Sequence, residues 1–201
     1  GQAGAKAIAR LVTGKASPSG KLAETMPESL SDTPCASCYP GTELTSEYRA
    51  GIFVGYRYYD TAKKPVKYPS GFALSYTTFE YSALELSTEG VSFTIKNTGS
   101  VKAAEIAQVY ISAPRGDVFC PEKELRGFAR VMIAPNEERR VFVELPKRAF
   151  QYWNTLESRW ATAGGRYEVL IGASSRDIRL RGHIDKDGDG AQSPCADPVF
   201  A

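Results

Sequence analysis

The chain has 201 residues, 42% of them hydrophobic and 24% charged, enough for one domain with an appendage or for two small ones. A formal net charge of +2 without a basic stripe excludes nucleic acid and an anionic membrane surface as expected partners, and no apolar run approaches the ~20 residues of a membrane-spanning helix. Gly1-Gln2-Ala3-Gly4 carries neither a methionine nor a signal-peptide pattern, so the chain is expected to be cut from something longer, with its localisation unreadable.

Residues 4–14 predict a short amphipathic helix: Ile8, Leu11 and Val12 share one face, Lys6 and Arg10 lie outside it, and Gly14 suits the left-handed stop position. Ser17-Pro18-Ser19-Gly20 is a turn cluster, followed by a short segment ending at Met26-Pro27. Residues 28–48 are polar, contain Pro34, Pro40 and Gly41, and show no sustained period, which predicts an irregular loop. Ile52-Phe53-Val54-Gly55-Tyr56-Arg57-Tyr58-Tyr59 is apolar enough to predict a strand buried on both faces. Lys63-Lys64-Pro65 interrupts it, and Pro69-Ser70-Gly71 makes the next turn.

From Phe79 the pattern becomes one of short alternating segments at the 8–12 residue spacing of an all-β sandwich. The inward rows are Val91, Phe93, Ile95; Ala107, Val109, Ile111; Phe128 to Ile133; Val141, Val143, Leu145; Tyr167, Val169, Ile171; and Ile178, Leu180. A slip of one residue would turn each row to water, so the register is well specified. Six or seven strands are expected, then a polar tail from 184 to 201.

Several segments carry a family resemblance. Gly1 to Ala9 resembles the Gly-Gln-rich helix start that closes the α/β sandwich domain of family 3 glycoside hydrolases, the β-glucosidase and β-xylosidase group. Pro18-Ser19-Gly20-Lys21-Leu22 with Glu24-Thr25-Met26-Pro27 is similar to their PSGKLPxTFP segment, with Ala23 in place of a proline. Gly71-Phe72-Ala73-Leu74-Ser75-Tyr76-Thr77 resembles GxGLSYT, with Ala73 in place of a glycine, a change tolerated only if that position needs no positive φ. Lys96-Asn97-Thr98-Gly99, Gln108-Val109-Tyr110, Lys123-Glu124-Leu125-Arg126-Gly127-Phe128 and Gly172-Ala173-Ser174-Ser175-Arg176-Asp177-Ile178 follow in the order of the family's fibronectin type III-like domain.

The resemblance implies a mainly β fold. A short remnant of an α/β sandwich (helix, strand, long loop) and a connecting segment occupy 1–78, a fibronectin-III/immunoglobulin-like β-sandwich 79–183, and a polar tail 184–201. It implies a parent enzyme that removes β-linked glucose or xylose from non-reducing ends without a cofactor. The nucleophilic aspartate, the acid/base glutamate and the sugar pocket would all lie upstream. The chain is then expected to brace the catalytic domains, of the same polypeptide or of a companion chain, and to meet oligosaccharide only through them. A non-catalytic module binding polysaccharide or protein is the alternative.

The residues themselves agree that chemistry is sparse. A retaining glycosidase needs two carboxyl groups about 5–5.5 Å apart. Glu24, Glu28, Asp32, Glu43, Glu47 and Asp60 are available, but nothing in their spacing sets two across a sugar, so no catalytic or substrate-binding residue is assigned. Gly55 to Asp60 reads either as a sugar platform or as a domain junction filled by Tyr56, Tyr58 and Tyr59 with Arg57 in a buried polar contact; the junction is favoured because aromatic runs usually form cores. Asp185, Asp187 and Asp189 with Gly190 match the first half of a calcium loop, but Ala196 stands where the bidentate glutamate belongs, so a polar tail is the favoured account. Cys35-Ala-Ser-Cys38 has the spacing of half a zinc site, but Cys120 and Cys195 stand alone and His183 offers no second half; free thiols or an incidental disulfide are favoured. His183 has no nucleophile context, and Arg176, Arg179 and Arg181 with Asp177 read as a solvated strand face.

Overall fold

The computed structural model describes residues 2–41, 44, 48–116 and 118–192. Its centre is a sandwich of two antiparallel sheets. β1 (Phe79–Leu86), β2 (Gly90–Asn97) and β5 (Glu138–Glu144) form one, in the order β1-β2-β5. β3 (Ala103–Ser112), β4 (Glu124–Ile133), β8 (Gly165–Gly172) and β9 (Ile178–Lys186) form the other, in the order β4-β3-β8-β9. Three strands against four is the two-sheet sandwich the alternation predicted, in the fibronectin-like form the resemblance implied. Among the described residues no helix is long and apolar enough to cross a membrane.

The core is where the alternation places it. Val91, Phe93 and Ile95 of β2 are wholly buried beside Val141 and Val143 of β5 in the same sheet, and the equally buried Val109 of β3 and Val169 and Ile171 of β8 complete the core from the other sheet. Each such side chain contributes about 1.5–3 kcal/mol by leaving water. Two strands change parity at bulges. In β1 the register shifts between Ser82 and Glu85, with Ala83 at φ 51°, so Tyr81 points inward before the bulge and Leu84 and Leu86 after it. In β4 the shift opposite Val109 and Tyr110 sends Ala129, Val131 and Ile133 inward, while Phe128 and Met132, expected in the inward row, face solvent.

Polar groups pin the turns. Asn97 is fully buried with every hydrogen-bonding atom engaged: Nδ2 donates to the carbonyls of Val101 (2.8 Å) and Ile133 (3.1 Å), and Oδ1 accepts from Thr77 Oγ1 and the Gly99 N–H. Thr77 crowds Gly99 so closely that a Cβ there would sit 2.2 Å from its Oγ1. The Tyr167 hydroxyl lies 2.9 Å from the carbonyl oxygen of Ala163, four residues back, and 3.1 Å from that of Phe150, a tyrosine corner closing the entry to β8. Burial pushes its pKa up to about 12.

Three expectations need correction. Residues 52–59 form no strand: α2 (Tyr56–Thr61) is a helical turn and a half entered through Gly55 at φ 55°, and Ile52 and Val54 are half exposed. A run that is apolar but for Arg57 shows no clear period, and length and flanking glycine had to arbitrate. Between β5 and β8 the chain adds a hairpin, β6 (Tyr152–Asn154) and β7 (Arg159–Ala161), too short to show alternation. Its Trp153 and Trp160 pair edge to face at 5.5 Å, and the Arg148 guanidinium lies 3.7 Å over the Trp160 ring. Residues 184–186, expected in the tail, are the last rungs of β9.

The helix expected at residues 4–14 is α1 (Gly4–Val12), with Gly14 at φ 70° beyond its end. No residue of it is buried, and Ile8 and Val12 are 62% and 78% exposed.

Candidate functional site at the joint between the connecting segment and the sandwich

The segments that carry the motifs lie far apart in sequence and converge in space. The chain around Leu22 to Met26 runs beside residues 67–72: Leu22 N–H donates to the Phe72 carbonyl, Gly71 N–H to the Leu22 carbonyl, and Met26 N–H to the Tyr68 carbonyl. Gly71, at φ 80°, abuts β3; a Cβ on it would fall 2.1 Å from Gln108 Oε1. Gln108 Nε2 in turn donates to the carbonyls of Gly71 (3.3 Å) and Ala173 (3.1 Å), and its Oε1 accepts from the Tyr110 hydroxyl. Ala73 sits outside the positive-φ region, so the alanine there is unstrained. Ser75 and Tyr76 reach back to the end of α1. Ser17 Oγ lies 3.0 Å from Ser75 Oγ and accepts the Tyr76 N–H, while the Tyr76 hydroxyl donates to the Leu11 carbonyl.

Two buried charge clusters lock this segment to the sandwich. In the first, Asp60 of α2, 6% exposed, meets Arg176 Nε at 2.7 Å and Lys123 Nζ at 3.0 Å. The Lys123 contact is an ion pair without hydrogen-bond alignment, since Asp60 Oδ2 lacks a hydrogen-bond partner among the described residues. Arg176 also donates to the carbonyls of Tyr59 (3.3 Å) and Lys64 (2.8 Å) at the C-terminal end of α2. It belongs to the joint, not to a solvated face; Arg179 and Arg181 do make surface pairs, with Asp177 and Glu168. In the second cluster, Lys21 Nζ contacts buried Glu105 Oε1 at 3.1 Å and the Ala173 carbonyl at 3.0 Å, and the Tyr81 hydroxyl donates to the same Glu105 oxygen. Burial, then the Glu105 carboxylate, holds the Tyr81 hydroxyl far above its ordinary range; burial does the same for Tyr110.

The aromatic residues of α2 fill the junction. Tyr59 is buried, the Tyr56 ring meets Tyr110 edge on at 5.7 Å, and Tyr56 Oη accepts the Leu125 N–H at 2.7 Å. Arg57 pairs with Glu124 at 3.3 Å, and Glu124 is held from its other side by Arg126.

This geometry gives the comparisons their meaning. The model of the glycosyl hydrolase family 3 C-terminal domain matches residues 1–76, and that of the fibronectin type III-like domain matches residues 105–175. An exo-α-(1→6)-L-arabinopyranosidase of Bifidobacterium breve is 41% identical over 96% of this chain and 26% of its own length. Thermostable β-glucosidase B of Acetivibrio thermocellus is 44% identical over 90% of this chain and 25% of its own. The crystal structure of a family 3 β-glucosidase from Bifidobacterium adolescentis superposes with a TM-score of 0.90 at 42% identity, covering 95% of this chain and 29% of that one. The chain belongs to glycoside hydrolase family 3, in its C-terminal portion. It spans about a quarter of the length of the curated relatives it matches.

No pair of carboxylates suited to the family 3 reaction is brought together among the candidates the structure describes. Glu24 and Glu28 are exposed, Asp32 caps its own turn by accepting from Ser29, and Asp60 is neutralised in the joint. Glu43 and Glu47 lie outside the described residues, as do Cys195 and Ala196. Two of the three calcium-loop aspartates, Asp185 and Asp189 but not Asp187, are committed elsewhere. Asp185 is held by Arg166 at 3.0 Å, and Asp189 accepts the Thr162 N–H and pairs with Arg159. Among the described residues no group of three His, Cys, Asp or Glu is placed to hold a metal ion. Composition and spacing gave no sign of the Lys21–Glu105–Tyr81 cluster, whose members are 84 and 24 residues apart; the Lys in the PSGKL-like segment was the only available signal.

Proposed function

We propose that this chain braces the catalytic part of a β-glucosidase-type hydrolase acting on terminal non-reducing β-D-glycosyl residues. Residues 1–78 act as the edge of the α/β sandwich domain with its connector, 79–186 as the fibronectin-like brace, and the remainder as a tail. One observation carries this reading: the connecting segment is fastened to the sandwich by buried charges, yet it leaves Ile8 and Val12 of α1, with Ile52, Val54 and Leu74, uncovered. Apolar surface of that kind marks a face that another part of the protein covers. Relatives named for an arabinopyranoside and for a glucoside match the same region, so sugar preference is set outside this chain.

The test is reconstitution. The upstream region, made as a separate polypeptide, is assayed on an aryl β-glucoside with and without this chain. Hydrolysis that appears, or survives heating, only in the mixture supports the brace. An upstream region equally active and equally stable alone overturns it, and retention of this chain by cellulose or xylan would favour a polysaccharide-binding module.

A further inference from the structure

The connecting segment carries two thiols that the joint does not use. Cys35 is exposed, Cys38 is half-buried, and both are free. The Cys35 carbonyl accepts the N–H of Cys38 and of Tyr39, each at 3.0 Å, so residues 35–38 close one tight turn. The first and fourth Cα atoms of such a turn lie within about 7 Å, and a disulfide needs about 4.4–6.8 Å. The Cys38 side chain already folds back over the turn, with Sγ 3.5 Å from the Cys35 oxygen. The approach is also anchored: Asp32 and Ser29 cap the preceding turn, and Ala36 N–H donates to the Thr33 carbonyl.

We propose that Cys35 and Cys38 form a thiol–disulfide exchange site, which small disulfides such as oxidised glutathione convert reversibly into a disulfide within the loop. The exposed Cys35 thiolate attacks one sulfur of the small disulfide and expels the other as a thiolate. The Cys38 thiolate then attacks the Cys35 sulfur of the mixed disulfide and expels the second thiolate. The two cysteine protons end on the two departing thiolates. Two protein thiols are oxidised and one small disulfide is reduced to two thiols.

The turn lies in the segment that precedes α2 in the chain. Closing the disulfide therefore staples a turn within the connecting segment. Cys120 is a poorer competitor, because burial and the Glu124 carboxylate hold its thiol above the ordinary range.

The experiment equilibrates the full chain with mixtures of reduced and oxidised glutathione, traps free thiols by alkylation, and digests with trypsin. The peptide Leu22–Arg49 holds both cysteines and no others. The expected result is that it loses two hydrogens and escapes alkylation under oxidising mixtures, and regains two alkyl groups after dithiothreitol. Cys35→Ser and Cys38→Ser should each abolish that form and leave a glutathione adduct on the remaining thiol, while Cys120→Ser should leave it intact. A peptide that stays dithiol in every mixture, accumulates adduct in the parent chain, or links to Cys120 or Cys195 overturns the proposal.

Discussion

Replacing Asp60 by alanine tests whether the joint is held by its buried charges. The substitution takes the carboxylate from between Lys123, whose side chain is 8% exposed, and Arg176. The two cations fare differently. Arg176 keeps the carbonyls of Tyr59 and Lys64, whereas among the described residues Lys123 keeps only Glu122, at 3.9 Å and itself 40% exposed. The cost therefore falls on Lys123, and stranding one member of a buried pair costs about 3–5 kcal/mol. At roughly 2–4 °C per kcal/mol for a chain of this size, the melting temperature should fall by about 6–20 °C. Amide exchange at Ala62 and Lys64, whose N–H groups bond to the Tyr58 and Tyr59 carbonyls of α2, should quicken in parallel and reports the loss even if α2 detaches locally. The double variant Asp60→Ala with Lys123→Met removes the stranded charge and should recover more than half of the loss. A single variant within about 1 kcal/mol of the parent, with unchanged exchange in α2, would mean the cluster behaves like a surface pair and would refute the reasoning.

Three further outcomes follow from the same contacts. Asn97→Ala leaves the Val101 and Ile133 carbonyls and the Gly99 N–H without their buried partner and should cost on the order of 3 kcal/mol in urea denaturation; a loss below about 1 kcal/mol would refute it. Tyr81, Tyr110 and Tyr167 all have raised pKa values. Below the ordinary tyrosine pKa of 10.0 both folded and unfolded chains keep these protons, so stability is fully present there. Above it the unfolded chain releases them first, and stability should fall by about 1.4 kcal/mol per pH unit for each tyrosine, for Tyr167 until its folded pKa near 12. Denaturation series on either side of pH 10 read this directly, and a flat profile would contradict it. Calcium should leave the melting temperature and the proteolysis of the tail unchanged, because Asp185 and Asp189 are already held by Arg166 and Arg159; protection on adding calcium would overturn that assignment.

The sandwich was legible because burial on one face of a strand writes a period of two into the sequence. Val91, Phe93 and Ile95, or Tyr167, Val169 and Ile171, admit no other register. Legibility fails where that cause is absent. β1 hides its alternation behind the bulge at Ala83, which moves the inward residues from odd to even numbers. The Trp153–Trp160 hairpin is too short for a period to develop. Residues 52–59 are apolar but for Arg57 and show no period, and the helix that begins at Tyr56 is tied to Tyr110, Leu125 and Glu124, all distant in sequence. The charge clusters are less legible still, since a buried Lys123 and an exposed Lys63 read alike until the fold supplies their surroundings.

The residues that made the family recognisable are the ones that fasten the joint. Gly71 must be small and left-handed to lie against Gln108, and Gln108 must be an amide to hold Gly71 and Ala173 together. Lys123 must be cationic to face Asp60, and Arg176 must be a planar fork to reach Asp60 and two carbonyls at once. Each requirement is one of geometry between distant segments, so a single exchange in any motif is met by no local compensation. The core rows tolerate swaps among Val, Ile and Leu at a cost usually below about 1.5 kcal/mol if volume is kept. A chain of this fold can therefore drift widely in its core while its connecting segment stays recognisable. That difference separates a part shaped to hold two bodies in fixed relation from a sandwich that only needs to fold.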